Sequence, residues 1–369
     1  MDTTGWLQLT IFVTALIAVT KPLGLHLVRV LDANGKTCID RFVGPVERLV
    51  YRLLGVDRTE EQDWKDYGIS MLVFSGVGLL FTYAILRLQG LLPLNPQRFG
   101  SVSPDLAFNT AVSFTTNTNW QSYGGESTLS YFSQMVGLTV HNFFSAAVGI
   151  AVAAALVRGI ARDKSLTVGN FWVDLTRVSL YLLLPICLVL AVFLVAQGMI
   201  QNFKPYDTAR LVAPYTTRAP RMDSNGQEVK DAEGKTLMEE KQVETQTIAQ
   251  GPMASQVAIK MLGTNGGGFM NANAAHPYEN PTPLSNFIQI LSIFAIPSAL
   301  TYYLGRMVRS QGHGWAIWAA MFLMFLGGVL ACWWAESQGS PRMTALGVDP
   351  SYGNLERSEE HTSELQSHS

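Results

Sequence analysis

The stretch Gly263-Thr264-Asn265-Gly266-Gly267-Gly268-Phe269 combines three successive glycines with two polar side chains. Glycine has no Cβ atom, so its backbone can adopt positive φ angles, and neighbouring carbonyl groups can then turn toward one point. Such a turn can hold a cation with carbonyl oxygens, bind a phosphate with amide N–H groups, or form a tight bend between closely packed helices. The rest of the chain decides between these three interpretations.

The composition predicts an all-α polytopic membrane protein. Of the 369 residues, 48% are hydrophobic and 15% are charged, whereas an average soluble domain has about 25% charged residues. The net charge of −2 gives no support for nucleic-acid binding. Lys21-Pro22 interrupts the first of six apolar runs that are long enough to cross a hydrocarbon core of about 30 Å. These runs cover residues 6–30, 69–86, 131–157, 171–200, 287–305 and 315–335.

The basic residues predict how these runs are oriented. They are concentrated in the loops after the first, third and fifth runs, which contain for example Arg48, Arg158 and Arg306, and they are sparse between the second and third runs. Cytoplasmic loops are enriched in Lys and Arg. We therefore expect the three basic loops on the cytoplasmic side and the N terminus outside.

Two apolar segments, 106–114 and 253–262, are too short to cross a membrane. Each is followed by a polar turn, which we call the first turn (residues 115–121) and the second turn (residues 263–269). A short helix followed by such a turn predicts a re-entrant pore loop, which a membrane tolerates only where it is buried in protein or lines a watery cavity. Each short segment with its turn follows a run that crosses the membrane from inside to outside and precedes a run that crosses from outside to inside. The two units therefore have the same orientation and form a parallel repeat. We match Thr116-Asn117 with Thr264-Asn265.

The repeat divides the chain into five segments. The second repeat contains a charged external insertion at about 204–250, which we expect to be flexible or a small hairpin, and the last segment resembles foreign sequence after a truncation. The segments are an N-terminal transmembrane helix with a cytoplasmic loop (1–66), a first helix–pore-loop–helix repeat (67–160), a second repeat (161–310), the first helix of a third repeat (311–355) and a tail (356–369).

The motifs favour a cation over a phosphate. A P-loop requires Lys directly after its last glycine, and Phe269 occupies that position after Gly268. The six histidines form no metal-spaced pair, so we predict no catalytic residues and no transition-metal site. Backbone carbonyls, Thr hydroxyls and Asn carbonyl oxygens can replace the hydration shell of potassium or sodium. A purely structural connection between helices stays open as an alternative.

Two other groups of polar residues have two interpretations each. His141-Asn142 lies inside the third apolar run, where a polar residue either marks a functional site or makes an interhelical hydrogen bond. Asp105, Glu126 and Glu279 flank the turns on the outer side. These acids either raise the local cation concentration through their field or are surface charges without a role.

Four stretches are long and specific enough to identify a family. They are NTAVSFTTNTNWQSY at 109–123, LSYFSQM at 129–135, GTNGGGF at 263–269 and HPYENPT at 276–282. Together they closely resemble the potassium-binding subunit family, KdpA, of the bacterial Kdp potassium-transporting ATPases. The resemblance extends from the N terminus to about Leu355.

The resemblance implies a fold and a site. The family belongs to the superfamily of potassium transporters with four membrane–pore-loop–membrane repeats, here with about six spanning helices and two pore loops, and its ligand is the potassium ion. Gln121 is implied to lie at the filter entrance. The implied filter residues are Thr116, Asn117 and Thr118 from the first turn, and Thr264, Asn265, Gly266, Gly267 and Gly268 from the second.

The resemblance also implies partners and a location. The family's subunit captures extracellular potassium in the bacterial cytoplasmic (inner) membrane and passes it through an intramembrane tunnel to a P-type ATPase catalytic subunit, aided by small accessory subunits. The resemblance implies that the chain binds potassium and membrane lipid. The chain lacks the phosphorylation motif Asp-Lys-Thr-Gly-Thr, so it is expected to bind no nucleotide and not to be an enzyme by itself.

Two expectations qualify this interpretation. Family members continue through a third and a fourth repeat, so we expect this chain alone not to bind potassium with the selectivity of the complete subunit. The pore-loop architecture alone would also suit an autonomous potassium channel or cation symporter of the same superfamily. Uptake that persists without ATP would favour that alternative.

Overall fold

The computed structural model describes residues 3–32, 35–162, 165–220, 229, 236–338 and 345. Six of its helical segments are long and apolar enough to cross a membrane, which confirms the predicted number, and the chain is a multi-pass membrane protein. We call these segments spans one to six. They are Thr3–Val30, Trp64–Leu91, Ser133–Ala161, Phe171–Ala196, Pro283–Met307 and Gln311–Ser337.

The spans are built from α-helices with short π-helical and 3₁₀ segments. The π-helical segments Ser133–Thr139 and Val178–Leu183 belong to spans three and four, and the 3₁₀ turn Gln89–Leu91 ends span two. The α-helices are α1 (Thr3–Val30), α2 (Asp40–Leu54), α3 (Trp64–Leu88), α4 (Pro104–Thr115), α5 (Gly125–Thr128), α6 (Val140–Ala161), α7 (Phe171–Arg177), α8 (Leu184–Ala196), α9 (Met253–Leu262), α10 (Pro283–Met307) and α11 (Gln311–Ser337).

Polar caps fix where several spans begin. The Asp63 carboxylate accepts hydrogen bonds from the N–H groups of Lys65 and Asp66 at 2.8 and 2.9 Å, at the start of α3. Thr282 and Ser285 form a reciprocal capping box at the start of α10. These caps satisfy backbone N–H groups that have no partner within the helix. Span one agrees with the predicted run 6–30, and α1 continues without a break through Pro22 although Lys21-Pro22 interrupts the apolar sequence.

The short helices include both predicted segments and one that the sequence analysis missed. Helices α4 and α9 coincide with the apolar segments 106–114 and 253–262 to within two residues. Helix α2 lies in the region that was expected to be a loop. Its apolar residues lie on one face only, so no continuous apolar run marks it in the sequence.

Two antiparallel ribbons accompany the helices. The short strands β1 (Gln62–Asp63) and β2 (Thr167–Gly169) pair where spans two and four begin. Strands β3 (Asp207–Pro220) and β4 (Met238–Ile248) form a hairpin in which Asp207 pairs with Ile248. The insertion at 204–250 is therefore a hairpin in its described part, and the tail 356–369 lies outside the described residues.

Helix α9 lies at the centre of the main apolar core. All of its residues except Ser255 are buried, and it packs against spans three, four and five. The outward faces of the spans are apolar and exposed, as for Val189 and Val192 on α8, which are 73% and 72% exposed. Exposed apolar side chains on spanning helices suit contact with lipid. The second turn directly follows α9, which is almost fully buried.

Two buried ion pairs hold span one against its neighbours. Arg158 on α6 pairs with Asp174 on α7, with N–O distances of 2.5 and 2.7 Å, and donates to the carbonyl of Leu31 at 2.6 Å. Arg177 pairs with Glu47 at 2.9 Å and donates to the carbonyl of Val30 at 2.7 Å. The last carbonyls of a helix have no partner within it, and these two arginines supply one.

Candidate functional site

The first and second turns have the same backbone hydrogen bonds. At the end of each short helix, two successive N–H groups donate to one carbonyl five and six residues earlier. The donors and acceptors are Thr118 and Asn119 with Ser113, both at 3.0 Å, and Asn265 and Gly266 with Lys260, at 3.0 and 3.2 Å. The same conformation at two places in the chain supports the predicted repeat.

This hydrogen-bond pattern changes the alignment of the two turns. Equivalent donors are 147 residues apart, since 265 minus 118 is 147. Thr116 therefore corresponds to Gly263, and Asn117 corresponds to Thr264. The alignment of Thr116-Asn117 with Thr264-Asn265 is wrong by one residue, because it matched residue types and not backbone positions.

The backbone conformations agree with the corrected alignment. Asn117 and Thr264 both have left-handed φ angles, of 62° and 58°, and so do the next equivalent pair, Asn119 with 56° and Gly266 with 91°. A positive φ is rare for a β-branched residue such as threonine. Backbone strain of this kind persists only where the surroundings impose it and is frequent at functional sites.

Most N–H groups of the turns are used within the protein, namely those of residues 116–119, 263–266 and 268, whereas several carbonyls are left free. Within the described ranges, no hydrogen bond is made to the backbone carbonyls of five of the eight predicted filter residues. These five are Thr116, Asn117, Thr118, Thr264 and Asn265. A phosphate site needs free N–H donors and a cation site needs free carbonyl acceptors. The geometry therefore favours a cation.

The other three predicted filter residues already have partners for their carbonyls. The carbonyl of Gly266 accepts from the N–H of Asn273 at 2.7 Å. The carbonyls of Gly267 and Gly268 accept from the amides of Asn142 at 3.3 Å and Gln121 at 3.1 Å. These three glycines form the frame of the second turn.

The side chains of Asn117 and Asn265 connect the two turns. The Asn117 amide donates to the carbonyl of Gly263 at 3.5 Å and accepts from the Ser145 hydroxyl at 2.8 Å. The Asn265 amide lies against both Asn117 and Ser145. Its nitrogen is best placed toward the carbonyls of Asn142 and Ile259, at 3.3 and 3.1 Å. Both asparagine side chains thus form hydrogen bonds with other groups of the protein.

Amide side chains also join the two turns and the residues that follow them. The Gln121 amide donates to the carbonyl of Gly268 at 3.1 Å and accepts from its N–H at 2.8 Å. In return, the Asn271 amide accepts from the N–H of Gly125 at 2.9 Å and donates to the carbonyl of Tyr123 at 2.7 Å. Gln121, predicted at the filter entrance, lies against the second turn.

A buried ion pair joins the segments on either side of the second turn. The Lys260 ammonium donates to the Glu279 carboxylate at 2.6 Å and to the carbonyl of Asn271 at 2.5 Å. The same carboxylate accepts from the N–H of Met270 at 3.1 Å. Both charged side chains are fully buried. The pair joins α9, before the second turn, to the chain after it.

This ion pair was missed in the sequence. Glu279 was expected on the outer side, either raising the local cation concentration or as a surface charge without a role, and the structure buries it. The signal was Lys260, a lysine within an otherwise apolar segment, because a buried lysine requires an acidic partner. Of the other two acids, Asp105 is exposed, and hydrogen bonds from the Ser103 hydroxyl and from backbone N–H groups lower the pKa of its carboxyl. Asp105 is therefore ionised at neutral pH.

His141 and Asn142 make interhelical hydrogen bonds, which agrees with the second of their two interpretations. The ring nitrogens of His141 lie 2.8 Å from the Thr82 hydroxyl and 3.1 Å from the Thr115 hydroxyl. Asn142 donates to the carbonyl of Gly267. Span three therefore contacts both turns with polar side chains.

Replacing Gln121 with leucine is expected to lower the free energy of unfolding by about 1–3 kcal/mol, because the N–H of Gly268 loses its partner and the Gly268 carbonyl keeps only the bond from the Asn271 N–H at 3.3 Å. Thermal unfolding of the purified chain in detergent measures the change. Gln201→Leu is the matched control, since the Gln201 amide makes two similar bonds to Ser255 at an exposed position and should change stability by less than about 0.5 kcal/mol. Equal effects of the two substitutions would contradict the role assigned to Gln121.

Comparisons with known proteins agree with this architecture. The family model described as potassium-transporting ATPase A subunit, KdpA, matches residues 10–368. Three proteins named potassium-transporting ATPase potassium-binding subunit are similar over nearly the whole chain. They come from Koribacter versatilis (53% identity over 367 residues, 99% of this chain and 58% of the relative), Dechloromonas aromatica (52% over 359 residues, 97% and 60%) and Chromobacterium violaceum (50% over 365 residues, 97% and 60%).

The chain spans 58–60% of the length of these relatives. The family model, in contrast, matches the described helices and turns from residue 10 onward, including both turns and all six spans in large part. From the match of the family model and the identity to these relatives, we conclude that the chain belongs to the family of potassium-transporting ATPase A subunits.

Proposed function

We propose that the chain binds potassium within the potassium-binding subunit of an ATP-driven, high-affinity importer. The observation that carries this proposal is the pair of turns with one backbone pattern, in which most N–H groups are used internally and five carbonyls are free. The names of the relatives support potassium as the ion. Carbonyl oxygens suit a monovalent cation, because they replace its hydration shell without adding negative charge.

Within this proposal the predicted site residues have two kinds of role. The carbonyls of Thr116, Asn117, Thr118, Thr264 and Asn265 face the ion. Gly266, Gly267, Gly268 and Gln121 hold those carbonyls in place through the bond between Gln121 and Gly268 and through the bonds of Gly267 to Asn142 and of Gly266 to Asn273. Potassium filters of channels use four loops, so the two turns, as pore loops of the first and second repeats, supply part of the ring.

The proposal includes partners and a location. We infer that a P-type ATPase catalytic subunit hydrolyses ATP and receives potassium from the filter through an intramembrane tunnel, and that small accessory subunits complete the complex. The chain itself is non-catalytic in this scheme. It lies in the bacterial cytoplasmic membrane with its N terminus outside, in agreement with the basic loops after spans one, three and five.

Replacing Gly266 with aspartate is expected to raise the potassium concentration for half-maximal ATP hydrolysis by about tenfold or more, which corresponds to about 1.4 kcal/mol. Gly266 has a φ of 91°, and a Cβ atom there would lie 2.5 Å from the Asn273 amide oxygen. The carboxylate would also compete with the carbonyls for the ion. The measurement uses the chain extended to the length of its relatives, in complex with the pump subunit.

Gly198→Asp is the matched control for this experiment. Gly198 also has a positive φ, of 101°, but a Cβ atom there would meet no other atom within 4 Å. The control should leave the potassium dependence unchanged. An unchanged potassium dependence in Gly266→Asp would contradict the proposed filter, and potassium uptake without ATP would show a channel or symporter instead.

A further inference from the structure

Helix α2, between spans one and two, is fixed to the protein by one face. Gly44, Glu47 and Tyr51 are its buried residues. The Glu47 carboxylate accepts from Arg177 at 2.9 Å, from the Tyr181 hydroxyl at 2.6 Å and from the Tyr51 hydroxyl at 2.9 Å. These bonds attach α2 firmly to span four.

The opposite face of α2 is apolar and exposed. Residues at intervals of four, three and four lie on one side of an α-helix. At this spacing α2 carries an apolar stripe whose members are 47–77% exposed. At 100° per residue, the centre of this stripe is about 180° from the buried face. The apolar stripe consists of Phe42, Val46, Leu49 and Leu53.

A row of arginines lies beside the apolar stripe. Arg41, Arg48 and Arg52 are exposed, and their spacing of seven and four places them on one line of the helix, about 110° from the stripe. In the described part of the chain, none of the three forms an ion pair. This arginine row therefore offers three positive charges to an external partner.

The position of α2 along the bundle indicates what it meets. Arg177, which holds Glu47, also donates to the carbonyls of Val30 and Arg29 in the last turn of α1. Helix α2 thus lies at the level where span one ends, which is the boundary between the apolar interior of a membrane and its headgroups. An amphipathic helix with basic residues on its polar side binds at this boundary.

We propose that α2 lies along the membrane surface, with the apolar stripe among the acyl chains and the arginine row on the headgroups of anionic phospholipids. Charge complementarity favours phosphate headgroups. The attachment of α2 to span four, beside the end of span one, favours lipid over a soluble protein, because the apolar stripe points away from the bundle at that level. This inference does not depend on the ion that the turns bind.

The depth of the apolar stripe is tested with an environment-sensitive fluorophore. The three native cysteines are replaced by alanine, Leu49→Cys is labelled with NBD, and the chain is reconstituted in phosphatidylcholine vesicles with 30% phosphatidylglycerol, a proportion of about one anionic lipid in three chosen so that the anionic surface potential is present. Shallow nitroxide-labelled lipids should quench the fluorophore, and iodide should not. Arg58→Cys, in the exposed loop after α2, is the control that iodide should quench.

The role of the arginine row is tested with spin-labelled lipids. The relative association of phosphatidylglycerol over phosphatidylcholine should fall by about fivefold to a hundredfold in Arg41→Gln/Arg48→Gln/Arg52→Gln, because each of the three basic residues near the surface contributes a factor of up to about five. A matched triple variant, Lys204→Gln/Arg98→Gln/Arg210→Gln, removes three exposed charges elsewhere. This variant should change the relative association of the two lipids little. Thermal unfolding shows whether each variant is folded.

Two results would overturn the proposal. One is quenching of the Leu49 label by iodide in the reconstituted chain, with protection only after pump or accessory subunits are added, which would make α2 a protein-docking helix. The other is an unchanged lipid preference in the folded arginine variant. Neither readout involves potassium, so failure of this inference and failure of the proposed function are distinguishable.

Discussion

Replacing Lys260 with methionine is expected to lower the free energy of unfolding by about 3–5 kcal/mol. Methionine preserves most of the buried aliphatic volume, so the main change is the loss of the ammonium group. The Glu279 carboxylate, which is fully buried, then has no counter-charge. Removing one partner of a buried ion pair is costly because the other charge stays desolvated without compensation. Chemical or thermal unfolding in detergent measures this change.

Two further variants separate the buried charge from general damage. In Lys260→Met/Glu279→Gln the uncompensated charge is absent, so the double variant should be more stable than Lys260→Met alone. Arg162→Met breaks the ion pair with Glu61, whose side chain is 43% exposed, and should cost at most about 1 kcal/mol. A double variant no more stable than the single one would show that the lysine acts by packing and not by charge.

Replacing Asp174 with asparagine is expected to have an effect of similar size, about 3–5 kcal/mol. Asparagine has the same shape but no charge, and it leaves the buried Arg158 guanidinium without its carboxylate. Arg158 also holds the carbonyls of Leu31 and Val168, at 2.6 and 3.1 Å. The loss of the pair should therefore loosen the end of span one, which hydrogen exchange of residues 27–32 would detect alongside the unfolding measurement.

Glu61→Gln provides the matched control on the acidic side. The hydrogen bond from Arg162 lowers the pKa of the Glu61 carboxyl, so this pair is also charged at neutral pH, but it is exposed to solvent. Its loss should change stability by about 0–1 kcal/mol. Similar losses in Asp174→Asn and Glu61→Gln would contradict the argument that burial sets the cost.

The sequence was sufficient for the helices that are apolar along their whole length. All six spans and both short helices, α4 and α9, occur where the apolar runs predicted them, because membrane insertion depends on summed hydrophobicity. Helix α2 was missed because its apolar residues occupy one face. Lys21-Pro22 interrupts the first apolar run but not the helix, since α1 continues through Pro22 and neighbouring helices can compensate a lost hydrogen bond.

The candidate site could be located from the sequence but not described in detail. The Thr, Asn and Gly residues of both turns identified the place. The alignment was wrong by one residue, because Thr116 and Thr264 share a side chain while Thr116 and Gly263 share a backbone position. The bonds of Gln121 to Gly268 and of Asn271 to Tyr123 join residues 147 and 148 positions apart, and no local pattern encodes such pairs.

The reciprocal amide bonds between the turns have a consequence for biosynthesis. Tyr123 and Asn271, which are bonded to each other, are 148 residues apart, and a ribosome adds about 5–20 residues per second. Tyr123 is therefore synthesised about 7–30 seconds before Asn271, the residue that holds it. During that interval spans three and four are already emerging, so the first turn must mature after the helices around it have entered the membrane. Assembly of this region is thus a late step that follows insertion.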